Sequence, residues 1–167
     1  MKHPSSWEEI VMLHGADILL AAHMQTEKQY LQHGSVSVFD HSVGVACLCL
    51  IIAAYCNISV DERALVRGAL LHDYFLYDWH IPDKSHRLHG FTHADCALQN
   101  AERDFQLGSI ERDMIQKHMF PLNITPPKYK ESVIICVADK ISAICEMLSI
   151  PWPETMHLLE NCETPIR

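Results

Sequence analysis

No apolar run in this 167-residue chain reaches the roughly 20 residues that a membrane-spanning helix needs. The longest uncharged apolar stretch, Val43 to Cys56, suits a buried core helix instead. No secretory signal is visible, because Met1 to Glu9 is polar and lacks a basic start with an apolar core behind it. Strand-type alternation is essentially absent, as are internal repeats, low-complexity tracts and long linkers. Positive charge is scarce: 13 Lys and Arg stand against 21 Asp and Glu, for a net charge of −8. That argues against a broad face for nucleic acid or for an anionic membrane surface. It leaves room for a locally positive cleft that takes a small phosphate ester.

The seven cysteines contain no Cys-x-x-Cys pair and are odd in number. Cys47, Cys96, Cys136 and Cys145 fall inside apolar helical patterns, so they read as reduced core residues of a protein in a reducing compartment, the cytoplasm. Cys47 and Cys49 are two apart, which on a helix points their thiols to different faces and disfavours a metal pair.

Half of the residues are apolar and a fifth are charged, the balance of a globular chain. Its length fits one domain, residues 1–167, able to bury roughly two-thirds of its unfolded surface without disulfides. The pattern is helical nearly throughout and predicts an all-α bundle of about six to eight helices. A first helix is expected from Ser5 or Ser6 to Tyr30, with a break near Gly15, and a loop over Gln32 to Phe39. A second helix runs from near Asp40 to Asn57. Ser59-Val60-Asp61-Glu62 has the form of a capping box and opens a third. Asp78 to Gly90 reads as irregular. Thr92-His93-Ala94-Asp95 opens the next helix, with His93, Ala97, Ala101 and Phe105 along one stripe. A short helix follows Gly108-Ser109 and ends near His118. After the proline-rich loop, a long helix covers Tyr129 to Leu148, with Val133, Ile134, Val137, Ile141, Ile144, Cys145 and Leu148 at helical spacing. A tail helix is expected from Pro153 to about Glu160.

What stands out is histidine, with twelve copies. Histidine is the commonest protein metal ligand and the usual acid or base near neutral pH. His72-Asp73 ends the apolar run Ala69-Leu70-Leu71. His41 shares a helix face with Val45, Leu48 and Ile52, and Asp139 shares one with Ile135, Ser142 and Ala143. A carboxylate among apolar and small residues is costly unless paired or bound to a cation. Each residue alone would read as a core histidine or a buried salt bridge. Four of them on three separate helices, all facing inward, make metal coordination the better account. Nitrogen and oxygen ligands without thiolate suit Fe, Mn, Ni, Zn or Mg rather than a structural zinc cage.

At these residues the chain resembles the HD superfamily of metal-dependent phosphohydrolases. The signature of that superfamily reads here as Asp40-His41-Ser42, Leu70-Leu71-His72-Asp73 and Ala138-Asp139-Lys140, and the resemblance covers about residues 32–148. Two-metal members add two histidines between the pair and the last aspartate. His93, in a segment similar to the His-Pro-Glu-x-Gly-Ala run of the superfamily, and His118 stand at nearly even spacing there. The resemblance implies one or two divalent ions. One would be held by His41, His72, Asp73 and Asp139, and the other by Asp73, His93 and His118, with Asp73 bridging. His89-x-x-x-His93 has zinc-ligand spacing, but Gly90 and Thr92 place His89 in the preceding loop, where it would face substrate. His33 and Lys140 are further candidates for contact with phosphate or for protonating the leaving group.

The function expected is hydrolysis of a phosphoester in a nucleotide or small phosphorylated metabolite. No nucleic-acid polymer or membrane partner is expected, and the protein would be a monomer or homodimer. His118 is followed by Met119-Phe120-Pro121, unlike the doubled histidine and Gly-Tyr-Pro run of the cyclic-dinucleotide branch. Two other readings stand beside this one: a di-iron oxygenase of the same superfamily, and a non-catalytic metal-binding regulatory domain.

Overall fold

The computed structural model describes residues 6–81 and 88–150. The tail helix expected from Pro153, together with His3, His86 and His157, lies outside the described residues. Among those described, seven α-helices and one two-stranded hairpin make an all-α fold.

Helix α1, Trp7–Leu19, starts where the Ser6 hydroxyl accepts a hydrogen bond from the Glu9 amide at 3.3 Å. It does not break at Gly15. That glycine is buried in mid-helix, where an added Cβ would run into the Leu70 side chain, so it serves close helix packing. The break comes at Leu20 and Ala21, before the short α2 at Ala22–Thr26 and a single 3-10 turn at Glu27–Gln29. The loop expected over Gln32 to Phe39 is instead an antiparallel hairpin, β1 Leu31–His33 and β2 Val36–Ser37, turned at Gly34 with φ +59°. Strands of two and three residues are too short to show alternation, which is why the sequence pattern does not display them.

Helix α3, Val38–Tyr55, opens two residues earlier than expected because Ser37 caps it, accepting from the Asp40 amide at 3.1 Å. By length and composition α3 could cross a membrane, yet 61% of that window is buried inside the bundle. It is the central helix, with α4 and α7 packed against it. Helix α4, Glu62–Leu71, is capped by Asp61, whose carboxylate accepts from the Ala64 amide at 2.9 Å, and not by Ser59. Helix α5, His89–Asp104, begins three residues before the expected Thr92. Thr92 therefore lies inside the helix, its hydroxyl turned back to the Leu88 carbonyl at 3.4 Å. Helix α6 spans Ser109–Lys117, and its Glu111 carboxylate accepts from the Gly108 amide at 2.8 Å. Helix α7 spans Lys130–Met147.

The core is built from Val45 and Leu48 of α3, Leu65, Leu70 and Leu71 of α4, Met114 and Ile115 of α6 and Ile135 of α7. Each such side chain contributes about 2 kcal/mol by leaving water. Those contacts hold the start of α3, the ends of α4 and α6 and the middle of α7 at one place. Helix α7 differs from the expected seam. Ile134, Ile135, Ala138 and Ser142 face inward, while Val133, Val137, Ile141, Ile144 and Leu148 are exposed. The inward face is the one that carries Asp139 and Glu146, both buried.

Candidate metal centre

Six side chains expected to meet do meet. His41 comes from the first turn of α3, and His72 and Asp73 from the C-terminal end of α4. His93 comes from the second turn of α5, His118 from the end of α6 and Asp139 from the middle of α7. All six are buried.

Asp73 stands at the centre. Its Oδ2 lies 3.8 Å from His41 Nε2 and 3.4 Å from His72 Nε2. Its Oδ1 lies 3.3 Å from His93 Nε2 and 3.5 Å from His118 Nε2. One carboxylate thus presents one oxygen to each histidine pair. Asp139 Oδ1 closes the first side, 3.3 Å from His41 Nε2 and 3.7 Å from His72 Nε2. Two overlapping groups of donor atoms result, His41, His72 and Asp73 in one, Asp73, His93 and His118 in the other.

The far nitrogen of every histidine is already committed. Nδ1 of His72 bonds the Ala69 carbonyl at 2.7 Å, that of His93 the His89 carbonyl at 2.8 Å, and that of His118 the Ile115 carbonyl at 2.8 Å. A carbonyl can only accept, so these three Nδ1 atoms carry hydrogen, and the neutral ring turns an Nε2 lone pair to the centre. Nδ1 of His41 faces both oxygens of buried Glu146, at 2.8 and 3.0 Å. His93 Nε2 and His118 Nε2 come within 2.8 Å of each other. Two lone pairs cannot stand that close without a proton or a cation between them.

The electrostatics follow from this crowding. Burial opposes charge on His41, but the neighbouring carboxylates of Asp139 and Glu146 outweigh it and raise its pKa to about 10. Burial likewise opposes charge on His93, and Asp73 outweighs it, raising that pKa. His118 goes the other way, lowered to about 3 by burial and then by the charges of His93 and His72. Burial pushes Asp73 and Asp139 up, but the histidines around them hold both well below the usual carboxylate range. Even so, His41 Nε2, His72 Nε2 and Asp73 Oδ1 are buried without a hydrogen-bond partner. With four imidazole nitrogens and two carboxylates turned to one point, the cluster fits divalent cations.

A cavity of about 720 Å³ opens onto it. His33, His89 and Lys140 line that cavity. His89 is the first residue of α5 rather than part of a loop, and its Nδ1 pairs with the Tyr77 hydroxyl at 2.9 Å. Among the described residues no metal-ligand group includes His89, although its ring stacks on that of His93 at 4.6 Å. The Lys140 ammonium donates to the carbonyls of His118 and Cys136, both at 3.1 Å. The ring of His33 stands edge-on to His41 at 5.8 Å, and burial lowers its pKa. No described metal-ligand group includes a cysteine, and burial pushes the Cys47 thiol up to about 12.

Two residues at the centre escape the sequence reading. Gln32, on β1, donates its Nε2 to Asp73 Oδ2 at 2.5 Å. No local signal marks it, since its role depends on a hairpin too short to read. Glu146 lies seven residues beyond Asp139, on the same helix face as Ser142, whose hydroxyl donates to it at 2.8 Å. A carboxylate two turns along that inward face is the signal that could have found it.

No curated protein and no solved structure matches the chain. The family model for the HD domain matches residues 38–144. That span contains all six converging side chains, and the chain belongs to the HD domain family, whose members are mostly metal-dependent hydrolases.

Proposed function

We propose that this protein is a two-metal phosphohydrolase that cleaves a phosphoester of a nucleotide or small phosphorylated metabolite. The observation that carries the reading is Asp73, with one oxygen toward His41 and His72 and the other toward His93 and His118. His41, His72 and Asp139 would hold one cation, and His93 and His118 the other, with Asp73 shared between them. When bound, such a pair of cations supplies Lewis acidity that brings the pKa of a water toward neutrality and offsets phosphoryl charge.

The rest is done by the chain itself. The three backbone carbonyls and Glu146 hold the histidine rings in one tautomer and orientation before substrate arrives. Gln32 fixes the rotation of Asp73. His33, kept neutral by burial, is suited to hydrogen-bond a phosphoryl oxygen or an ester hydroxyl. His89 and Lys140 line the same cavity, where they would contact phosphate or return a proton to the departing oxygen. Met119, Pro121, Leu122 and Ala143 supply an apolar side for the organic part of the ester. The setting that accompanies this reading is the reducing cytoplasm, which suits the free cysteines, and a monomer or homodimer acting without nucleic acid or membrane.

Elemental analysis combined with a phosphatase screen over nucleotides and sugar phosphates tests the proposal. His72→Ala and Asp73→Ala should lose both bound metal and activity while keeping the helical circular dichroism of the parent. Full activity in either variant would remove the mechanism. Two irons with oxygen consumption would point to oxygenase chemistry, and no metal uptake on reconstitution to a regulatory domain.

A further inference from the structure

The cavity over the metal centre holds about 720 Å³, within the range of pockets that take a whole small organic molecule and well beyond what a phosphoryl group fills. Its lining divides by chemistry. The polar side chains are metal-centre residues together with Gln32, His33, His89 and Lys140. The rest of the described lining is Trp79, Gly90, Met119, Pro121, Leu122 and Ala143. Apart from the indole of Trp79, these side chains carry no strong hydrogen-bonding group. This apolar wall adjoins both groups of ligands. Met119 follows His118 directly, and Ala143 lies one turn beyond Asp139 on α7. The ring of Trp79 lies parallel to that of His89 at 5.2 Å, and His89 stacks on His93 at 4.6 Å. A Cβ on Gly90 would stand 3.7 Å from Leu122 Cδ2, so the start of α5 and the loop after α6 meet here. Leu88 and Phe91 flank Gly90 and Ile124 lies two residues past Leu122, and all three are exposed, Ile124 at 89%. Exposed apolar surface of this kind marks a binding groove.

Given the phosphohydrolase reading, on which this rests, we infer that the substrate is a phosphate ester whose organic part is apolar, alkyl or aryl, in place of a sugar or a nucleoside. The polar groups that could reach sugar hydroxyls are already engaged. Lys140 gives two of its three ammonium hydrogens to the carbonyls of His118 and Cys136. Gln32 gives its amide nitrogen to Asp73, and His89 pairs with Tyr77. What they have left meets the charge of a phosphoryl group at the metal centre. A sugar laid against the apolar wall would give up its water without a partner in return. An alkyl or aryl group gains there from leaving water, about fourfold in affinity for each methylene covered.

An alkyl series on the full chain loaded with Mn²⁺ tests the substrate class. Ethyl, butyl and hexyl phosphate have leaving groups of nearly equal basicity, so differences among them report the cavity and not the bond being broken. Their kcat/KM should climb about fourfold per methylene, and hexyl phosphate should outrun glucose 6-phosphate and adenosine monophosphate. Leu122→Gln, at a position 45% exposed where an amide leaves the core alone, should flatten the climb. Ala143→Leu, which fills part of the wall, should end it at a shorter chain. An unchanged climb in both variants would place the apolar group elsewhere and overturn the assignment. Calorimetry adds a readout that needs no turnover: hexylphosphonate should bind more tightly than methylphosphonate, with a more negative heat capacity change. Hydrolysis with a flat series, or with the sugar phosphate or the nucleotide preferred, would overturn the apolar substrate and leave the phosphohydrolase standing. Hydrolysis of none of these esters, with hexylphosphonate still the tighter ligand, would sink the phosphohydrolase and support the apolar ligand class. No hydrolysis and equal binding of the two phosphonates would overturn both.

Discussion

Glu146 holds His41 from behind, its two oxygens 2.8 and 3.0 Å from the ring Nδ1 while Nε2 of the same ring points at Asp139. A ligand ring gains basicity and a fixed orientation from such a carboxylate, and both are lost when the carboxylate goes. Glu146→Gln keeps the size of the side chain and removes its charge. The variant should bind Mn²⁺ roughly 10- to 100-fold more weakly at the His41 side. Titration calorimetry should show one weakened and one unchanged event per chain. Two unchanged events would show that Glu146 merely packs there.

The same crowding sets what metal removal does. Without a cation, four Nε2 atoms and two carboxylates face one another at the buried end of the cavity, and each unsatisfied buried group costs about 1–3 kcal/mol. Divalent metal at 100 times its dissociation constant should add about 2.7 kcal/mol to stability. Thermal melts with and without a chelator should therefore differ by several degrees in the parent. The difference should shrink in His93→Ala and His118→Ala, where one group of ligands is gone and the repulsion between the two Nε2 atoms with it. Metal content in both variants should fall to about half.

His41, His93 and Asp139 are legible because each is a polar side chain at a position whose helical spacing demands burial, whereas His118, at a helix end, is legible only through the family pattern and its spacing from His93. His41 repeats with Val45 and Leu48, and Asp139 with Ile135 and Ser142, and all of these are buried together. What stayed hidden depends on packing between elements. Nothing local tells a reader that Gln32 sits on a hairpin folded over Asp73, or that α4 is capped by Asp61 and not Ser59. The period of the apolar row on α7 is legible in the sequence, but its outward placement is not, because an apolar row looks the same whichever side it faces.

Glu27 offers a prediction in pH. It is fully buried and neither carboxyl oxygen has a hydrogen-bond partner. Burial, and then the charge of Asp73, raise its pKa well above 4.5, and the nearby Leu76 amide offsets only part of this without completing a hydrogen bond. The folded chain therefore keeps a proton that the unfolded chain gives up. Stability from this group is complete below about pH 4.5 and drains as pH rises toward the folded value. Glu27→Gln cannot lose a proton. Its stability relative to the parent should therefore grow steadily from pH 5 to pH 8 in urea titrations, and a constant difference across that range would mean that Glu27 is already ionised in the fold.

Gly68 links the packing of the bundle to the second group of ligands. It lies on α4, one turn before His72, and faces Met114 on α6, one turn before His118. An added Cβ would stand 2.6 Å from Met114 Sδ, 2.9 Å from its Cε and 3.1 Å from its Cβ. Met114 is fully buried, so the end of its side chain has nowhere to swing, and its Cβ moves only with the helix. Gly68→Ala gains helix propensity of about 1 kcal/mol, yet overpacking of this kind costs roughly 1–3 kcal/mol. The net effect should be a loss of stability despite the better helix former. Pushing α6 away should also carry His118 from Asp73, so the variant should lose its second metal before its first. Metal counting beside a urea titration checks both parts, and a stable variant with two metals would mean that α4 and α6 have room that their glycine contact denies.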